Sequence, residues 1–279
     1  VRRVWITGAG VVSPIGNGFA AFADGCLAGR SGIGPITLFD AATFKHRIAG
    51  EVRGLAPAPL EERYPRLRRV RDRKVLLGVA AAEQAIEHAG LGPRDLAGER
   101  SAIVLGAGLD VVLLEDIRGR TDDVEAAVSE KLRALLEDDA GWERLVPTDT
   151  ASRLVAVRHG LRGPCVTNVS ACAAGGQALG HAFRLVREGV VDVALAGGAD
   201  SMVHPMGIGG FGLLGALSPR NDPPGEAIRP FDGRRDGTVL GEGAAVLVLE
   251  DADRAHARGA RPLAEFLGCA STLDAHAVT

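Results

Sequence analysis

A cysteine lies at the junction between a short β-branched run and a helix that begins with small residues. The segment reads Cys165-Val166-Thr167-Asn168-Val169-Ser170-Ala171-Cys172-Ala173-Ala174-Gly175-Gly176, and a helical pattern from Gln177 to Glu188 ends before Gly189. β-branched residues favour strands, and glycine commonly follows the last residue of a helix. The pattern therefore predicts a strand, a tight turn and a helix, with the Cys172 sulfur close to the N-terminus of the helix.

This setting is compatible with two interpretations of Cys172. Unpaired N–H groups and the helix dipole favour a thiolate over a thiol, and small neighbours let a substrate carbonyl reach the sulfur, as in a nucleophilic cysteine. Free cysteines are also often buried, inert packing residues. The local sequence leaves both interpretations open for Cys172. The other cysteines have no comparable setting and are predicted to be core residues: Cys26, Cys165 and Cys269.

Strand-like and helix-like segments alternate along the chain. Strands are predicted at 4–7, 101–108, 192–196 and 244–250, besides the one before Cys172. Helices are predicted at 19–28, 75–89, 124–136, 152–159 and 251–258, and the glycine-rich segment 205–215 is predicted to be flexible. This alternation predicts a layered α/β fold in which helices cover a mixed sheet.

Composition excludes several classes of protein. The net charge is −3, which gives no reason to expect binding to nucleic acid, and the 4 cysteines form neither a zinc pattern nor a disulfide framework. Charged residues and glycine interrupt the longest apolar runs, so no membrane span is predicted. Without a recognisable signal peptide, a cytoplasmic location is expected. Ser13 stands where a dinucleotide-binding fingerprint requires glycine, which argues against such a cofactor.

A basic run precedes the helix at 75–89. It contains Arg63, Arg66, Arg68, Arg69, Arg71, Arg73 and Lys74. Two interpretations are open, a solvated start of the helix and a docking patch for an acidic partner.

Four segments follow one another in the order expected for one enzyme family. They are the opening Val4 to Gly16, the cysteine segment Asn168 to Gly175, the strand end Ala196-Gly197-Gly198-Ala199-Asp200, and Arg229-Pro230-Phe231-Asp232 with Arg235 to Gly243. Together they resemble the motifs of the β-ketoacyl-[acyl carrier protein] synthases, most closely the elongating type II enzymes of fatty acid or polyketide synthesis.

The resemblance implies a thiolase-like fold, of which this chain is the N-terminal half. It implies that Cys172 accepts an acyl group from an acyl carrier protein and that malonyl-carrier protein then condenses with it by decarboxylation. Substrates would be carried on phosphopantetheine, with no further cofactor and no metal. The implied assembly is a homodimer with the strand before Cys172 near the two-fold axis, or a heterodimer with a homologous subunit.

Other positions are carried over from the family's pattern. Phe211 and Leu109 match acyl-pocket positions, and Thr279 matches a residue near the pantetheine tunnel. The residues expected to dock the carrier protein are Arg68, Arg69, Arg73 and Lys74. Glu242 and Asp236 are expected to hold loops through hydrogen bonds. Leu109-Asp110-Val111 departs from the family's glycine-rich pattern, so the acyl chain length is not implied.

The resemblance also implies that part of the catalytic machinery lies elsewhere. Family members are longer, and their catalytic histidines come from the C-terminal half. We therefore expect residues 1–250 to form the N-terminal domain and 251–279 to begin the C-terminal half, so that this chain alone does not condense malonyl units. Two alternatives stay open, namely a chain-length-determining partner subunit of a polyketide synthase and a thiolase that uses coenzyme A.

Overall fold

The computed structural model describes residues 1–109 and 148–276. The strands are β1 (Val4–Ser13), β2 (Gly16–Asn17), β3 (Ile33–Pro35), β4 (Ile48–Gly50), β5 (Ser101–Ala107), β6 (Cys165–Asn168), β7 (Val193–Ser201), β8 (Glu242–Asp251) and β9 (Ala264–Glu265). The α-helices are α1 (Phe19–Leu27), α2 (Ala58–Arg63), α3 (Arg73–His88), α4 (Pro93–Leu96), α5 (Thr150–His159), α6 (Ala174–Arg187), α7 (Pro205–Leu213) and α8 (Ala252–Ala257). None of these helices combines the length and apolarity needed to cross a bilayer. The predicted helix at 124–136 lies outside the described residues.

One mixed sheet organises the described residues. Its strand order is β2-β1-β8-β7-β5-β6, and β9 also pairs with β1. β5 runs parallel to both β6 and β7, whereas β8 runs antiparallel to β1 and β7. β6, the strand that leads to Cys172, therefore forms one edge of the described sheet.

Helices cover both faces of the sheet. The residues of β5 alternate between the faces, as the two-residue period of a strand requires. Ile103 and Leu105 pack in the cluster that contains α3, whereas Ala102 and Val104 pack in the cluster that contains α6. The layered α/β fold with a mixed sheet covered by helices is thus confirmed.

Glycines in β1 let α3 lie close to the sheet. A Cβ atom on Gly10 would lie 1.9 Å from the carbonyl oxygen of Ala81, and one on Gly8 would lie 2.4 Å from that of Ala85. The alanines of α3 complete this close packing. β1 therefore continues through the glycines that follow the predicted strand at 4–7 and ends only at Ser13.

Two predictions from local sequence are wrong. The segment 205–215 contains the helix α7, because His204 Nδ1 accepts the N–H of Gly207 at 3.2 Å and Pro205 is compatible with the first turn of a helix. Cys26, Cys165 and Cys269 are exposed, not core residues. Cys165 starts the edge strand β6, and Gly25 is the buried residue of α1 beside Cys26.

Asp192 joins two basic segments at the start of β7. Its carboxylate lies 2.7 Å from Arg2 Nη1 and 3.0 Å from Arg100 Nε. The hydrogen bond from Arg100, with a further one from Arg2, lowers the pKa of Asp192 from its ordinary 3.8 to about 2.

We expect Asp192→Asn to lower the melting temperature at neutral pH. Because the folded-state pKa is lowered, the stabilisation by this carboxylate is complete above 3.8 and is lost as the pH falls toward about 2. The difference between variant and parent should therefore shrink through that window. Thermal unfolding between pH 2 and 7 measures it, and a difference that stays constant with pH would contradict the assignment.

Candidate active site

Cys172 lies in the turn between β6 and α6. β6 ends at Asn168, a 3₁₀ turn spans Ala171–Ala173, and α6 begins at Ala174. Ser170 Oγ donates to Asn168 Oδ1 at 2.9 Å, and Ala171 has φ = 51°, a left-handed conformation that is uncommon for a residue with a Cβ. The thiol is exposed. The predicted strand, tight turn and helix are confirmed, and Cys172 is not a buried packing residue.

The start of α6 lies directly on the sheet because three glycines meet there. A Cβ atom on Gly106 would lie 2.4 Å from the backbone of Ala174 and Gly175, and one on Gly198 would lie 3.3 Å from the Cα of Gly175. The ends of β5 and β7 thus contact the first turn of α6. This contact determines how far the preceding cysteine stands above the strand ends.

A cavity of about 430 Å³ opens beside the cysteine. The ends of β1, β5, β7 and β8 and the start of α6 form its wall, mostly through glycine, alanine and valine. Polar side chains on this wall are Ser13, Cys172 and Asp200, and among the described residues the wall holds no histidine and no lysine. The size and apolar lining suit a small organic group with its reactive atom near the thiol.

Asp200 places a carboxyl group in the same cavity. Its Oδ1 accepts the N–H of Ser201 at 2.8 Å, and both carboxylate oxygens lie 2.5 Å from where a Cβ on Gly108 would be. Burial is the largest influence on this group and raises the pKa of Asp200 above its ordinary value of 3.8. Asp200 ends a segment that resembles a family motif, and the sequence predicts no role for its side chain.

Asp200→Asn is expected to raise the melting temperature at neutral pH. A carboxyl whose folded-state pKa is raised destabilises the fold as the pH rises above its ordinary value of 3.8. The amide carries no such cost and can still accept from Ser201. Melting curves at several pH values should show a gain near pH 7 that disappears below pH 4; an equal gain at all pH values would contradict this explanation.

Two of the four predicted docking residues make hydrogen bonds within the chain. Arg73 Nε lies 2.8 Å from both carboxylate oxygens of Glu242, and its Nη2 donates to the carbonyl of Val52 at 2.8 Å. Lys74 is buried beside Asp72. Burial leaves Lys74 with almost no surface that a carrier protein could contact, whereas the Arg73 side chain is 32% exposed. A docking role for these residues stays a prediction. Glu242 also accepts from Val52 N and Ser201 Oγ, and Asp236 accepts from Ser218 and Arg220, as expected of structural residues.

The remaining basic residues form an exposed surface. We call it the arginine surface, and it comprises Arg63, Arg66, Arg68, Arg69 and Arg71. Arg63 lies 3.3 Å from Glu83, and Arg68 lies 3.8 Å from Glu61. Such exposed pairs contribute little to stability. Because these arginines are exposed, their charges are accessible to a partner.

The structure does not bring the other predicted site residues to the cavity wall. Phe211 is half-buried on α7, and the side chain of Leu109 is exposed, whereas its neighbour Gly108 lines the cavity. Thr279 lies outside the described residues. A role for Phe211, Leu109 and Thr279 in substrate binding stays a prediction.

Comparison with known proteins identifies the family. Residues 1–255 match the model of the β-ketoacyl synthase N-terminal domain. The 3-oxoacyl-[acyl-carrier-protein] synthase 2 of Synechocystis is 38% identical over 286 residues, which cover 100% of this chain and 64% of that protein. The chain therefore spans less than two thirds of this relative's length.

Solved structures agree in fold. The crystal structure of a β-ketoacyl synthase from Burkholderia phymatum superposes with a TM-score of 0.78 at 32% identity, covering 95% of this chain and 63% of that one. A ketosynthase bound to a hexaketide, in complex with its type II polyketide synthase acyl-carrier protein, superposes with a TM-score of 0.73 at 29% identity, over 95% and 62% of the two chains. The predicted thiolase-like fold is thereby confirmed, and the chain belongs to the β-ketoacyl synthase family, whose N-terminal domain it contains.

Proposed function

We propose that this chain is the nucleophile-bearing part of a 3-oxoacyl-[acyl carrier protein] synthase. The observation that carries the proposal is the exposed thiol of Cys172, which lies before the first turn of α6 and opens into an apolar cavity of about 430 Å³. Family membership over residues 1–255 adds weight to it. The substrates are acyl and malonyl groups carried as thioesters on phosphopantetheine.

In the first half-reaction, the Cys172 thiolate attacks the carbonyl carbon of the carrier-bound acyl thioester. The tetrahedral oxyanion collapses and expels the phosphopantetheine thiolate, which leaves the acyl group on Cys172. N–H groups in the turn before α6, including that of Cys172, are suited to hold the oxyanion. Small side chains at positions 171, 173 and 174 leave the approach to the sulfur open.

In the second half-reaction, malonyl-carrier protein loses carbon dioxide, and the resulting carbanion attacks the Cys172 thioester. A carbon–carbon bond forms, and the Cys172 thiolate leaves. Groups that polarise the malonyl thioester are required, and the described wall supplies no histidine or lysine for this purpose. We therefore propose that residues outside 1–250 complete this step; the domain division at residue 250 stays a prediction.

The arginine surface is the proposed docking site for the carrier protein. Acyl carrier proteins are acidic, and Arg68 and Arg69 are exposed. Charge reversal by Arg68→Glu and Arg69→Glu should slow acyl transfer from the carrier at low salt and leave transfer from an acyl-pantetheine unchanged, because rim charges act on association. An equal loss with both donors would contradict docking at this surface.

The exposed edge of β6 is the proposed dimer contact. Its outer backbone groups have no strand partner among the described residues, and such an edge is a template for pairing with another strand. A second copy of this chain or a homologous subunit would continue the sheet there.

Acyl transfer from matched donors tests the proposed function. The purified protein is incubated with an acyl-carrier protein and, separately, with the same acyl group on coenzyme A, and the intact mass is measured. One acyl adduct on Cys172 from the carrier is the expected result. Preference for coenzyme A would favour the thiolase alternative, and no adduct from either donor would favour a non-catalytic partner subunit.

A further inference from the structure

Asp72 and Lys74 form an ion pair that is almost completely shielded from water. Their side chains are 1% and 3% exposed, and Lys74 Nζ donates to Asp72 Oδ2. The other oxygen, Asp72 Oδ1, accepts the backbone N–H of Lys74 at 3.0 Å and so caps α3. Apolar residues of similar volume often stabilise a fold better than a buried ion pair, because removing charges from water is costly. A gain in stability therefore does not account for this buried pair, whereas the contacts that it makes with other residues do.

Among the residues that the structure describes, the ammonium group of Lys74 makes one hydrogen bond outside the pair. Its Nζ donates to the carbonyl oxygen of Leu109 at 2.8 Å. Leu109 directly follows Gly106, Ala107 and Gly108, which form part of the wall of the Cys172 cavity. Because α3 packs across β1, β7 and β8, this hydrogen bond attaches the end of the β5 segment to a rigid element.

Asp200 limits the same segment at Gly108. A Cβ on Gly108 would lie 2.5 Å from both carboxylate oxygens of Asp200, so the backbone of Gly108 packs closely against this side chain. The ion pair also acts on the Asp200 carboxyl through its charges. Lys74 lowers the pKa of Asp200 and Asp72 raises it, and both effects are smaller than the effect of burial. The segment 106–109 is thus hydrogen-bonded to Lys74 at Leu109 and packs against Asp200 at Gly108.

We propose that the Asp72–Lys74 pair is a positioning device that determines which acyl chains enter the Cys172 cavity. Lys74 holds the Leu109 carbonyl in place, and this bond also positions the adjacent Gly108 in the cavity wall. The inference rests on the proposed acyl-transfer function of the same site. Once this carbonyl is released, the wall can move, and the selection between short and long acyl chains changes.

Alkylation of Cys172 by two probes tests the inference. The double variant Asp72→Asn with Lys74→Met removes both charges and the bond to Leu109, and an asparagine can still cap α3. Rates for iodoacetamide and for a long-chain N-alkyl iodoacetamide are measured on the Cys172 peptide by mass spectrometry. We expect the long-to-short rate ratio to change about fivefold, as for the loss of one hydrogen bond of about 1 kcal/mol.

Controls separate this effect from general loosening of the fold. Asp192→Asn removes charged contacts far along β7 from the cavity and should leave the ratio unchanged. Gly108→Ala should displace the same segment, because the new Cβ meets Asp200, and should also change the ratio. This variant tests the inference even if the double variant does not fold. If Gly108→Ala and the double variant fold and both keep the long-to-short rate ratio of the parent protein, the inference is overturned. Absence of acyl transfer from a carrier protein would instead contradict the proposed function and leave the ratio measurable.

Discussion

Cys172→Ala is expected to abolish acyl transfer from an acyl-carrier protein. The alanine keeps the small volume that the turn requires but has no nucleophilic atom, so the covalent intermediate cannot form. We expect the rate of adduct formation to fall by more than about 10³-fold, the scale of loss when a nucleophile is removed. Because the Cys172 side chain is exposed, the melting temperature should stay near that of the parent.

Cys26→Ala is the matched control, since it removes another exposed thiol, on α1. It should leave one acyl adduct in the intact mass, and digestion should place that adduct on the Cys172 peptide. An adduct of undiminished yield in Cys172→Ala would refute the assignment of the nucleophile. Retained partner activity together with absent acylation in the parent would favour the chain-length-determining subunit instead.

Gly106→Ala is expected to cause a large loss of stability that also reaches the active site. The new Cβ would lie 2.4 Å from the backbone of Ala174 and Gly175, which no change of rotamer can relieve. The start of α6 must therefore move away from the sheet. We expect the free energy of unfolding to fall by about 3 kcal/mol, at the upper end of overpacking effects.

The same substitution should slow acylation of Cys172 in the protein that remains folded. A displacement of about 1 Å at a reacting group costs on the order of 10²-fold in rate. Gly210→Ala is the control, because a Cβ there meets no atom within 4 Å and alanine is the better helix former in α7 by about 1 kcal/mol. Urea unfolding and the acylation rate measure both effects, and parental values of both for Gly106→Ala would contradict the close packing of α6 on the sheet.

Predictions that depend on local pattern agree well with the structure. The β-branched run before Cys172 and the small residues after it determine a strand, a turn and a helix without help from distant residues. The helices predicted at 19–28 and 152–159 are observed within two residues as α1 and α5. The segment at 205–215 is the exception, since its glycines suggested flexibility, whereas Gly207 and Gly212 let the helix α7 lie close to Met202 and His46.

Predictions that depend on distant contacts agree less well. Arg68, Arg73 and Lys74 belong to one basic run, and nothing in the sequence separates them. In the structure Arg68 is exposed, Arg73 binds Glu242, and Lys74 is buried beside Asp72 and bonded to Leu109. The three cysteines that were predicted to be core residues are exposed for the same reason. Burial depends on how the sheet and helices pack together, which local sequence does not determine.

The sequence by itself determined the order of strands and helices, the turn that carries Cys172 and the family motifs. These features depend on residue periodicity and turn chemistry within a few neighbours. Only the tertiary structure decided that Asp200 shares the cavity with the cysteine and that Lys74 contacts the cavity's wall. Both facts arise from the parallel pairing of β5 with β7 and from α3 packing across the sheet, which join residues far apart in the chain.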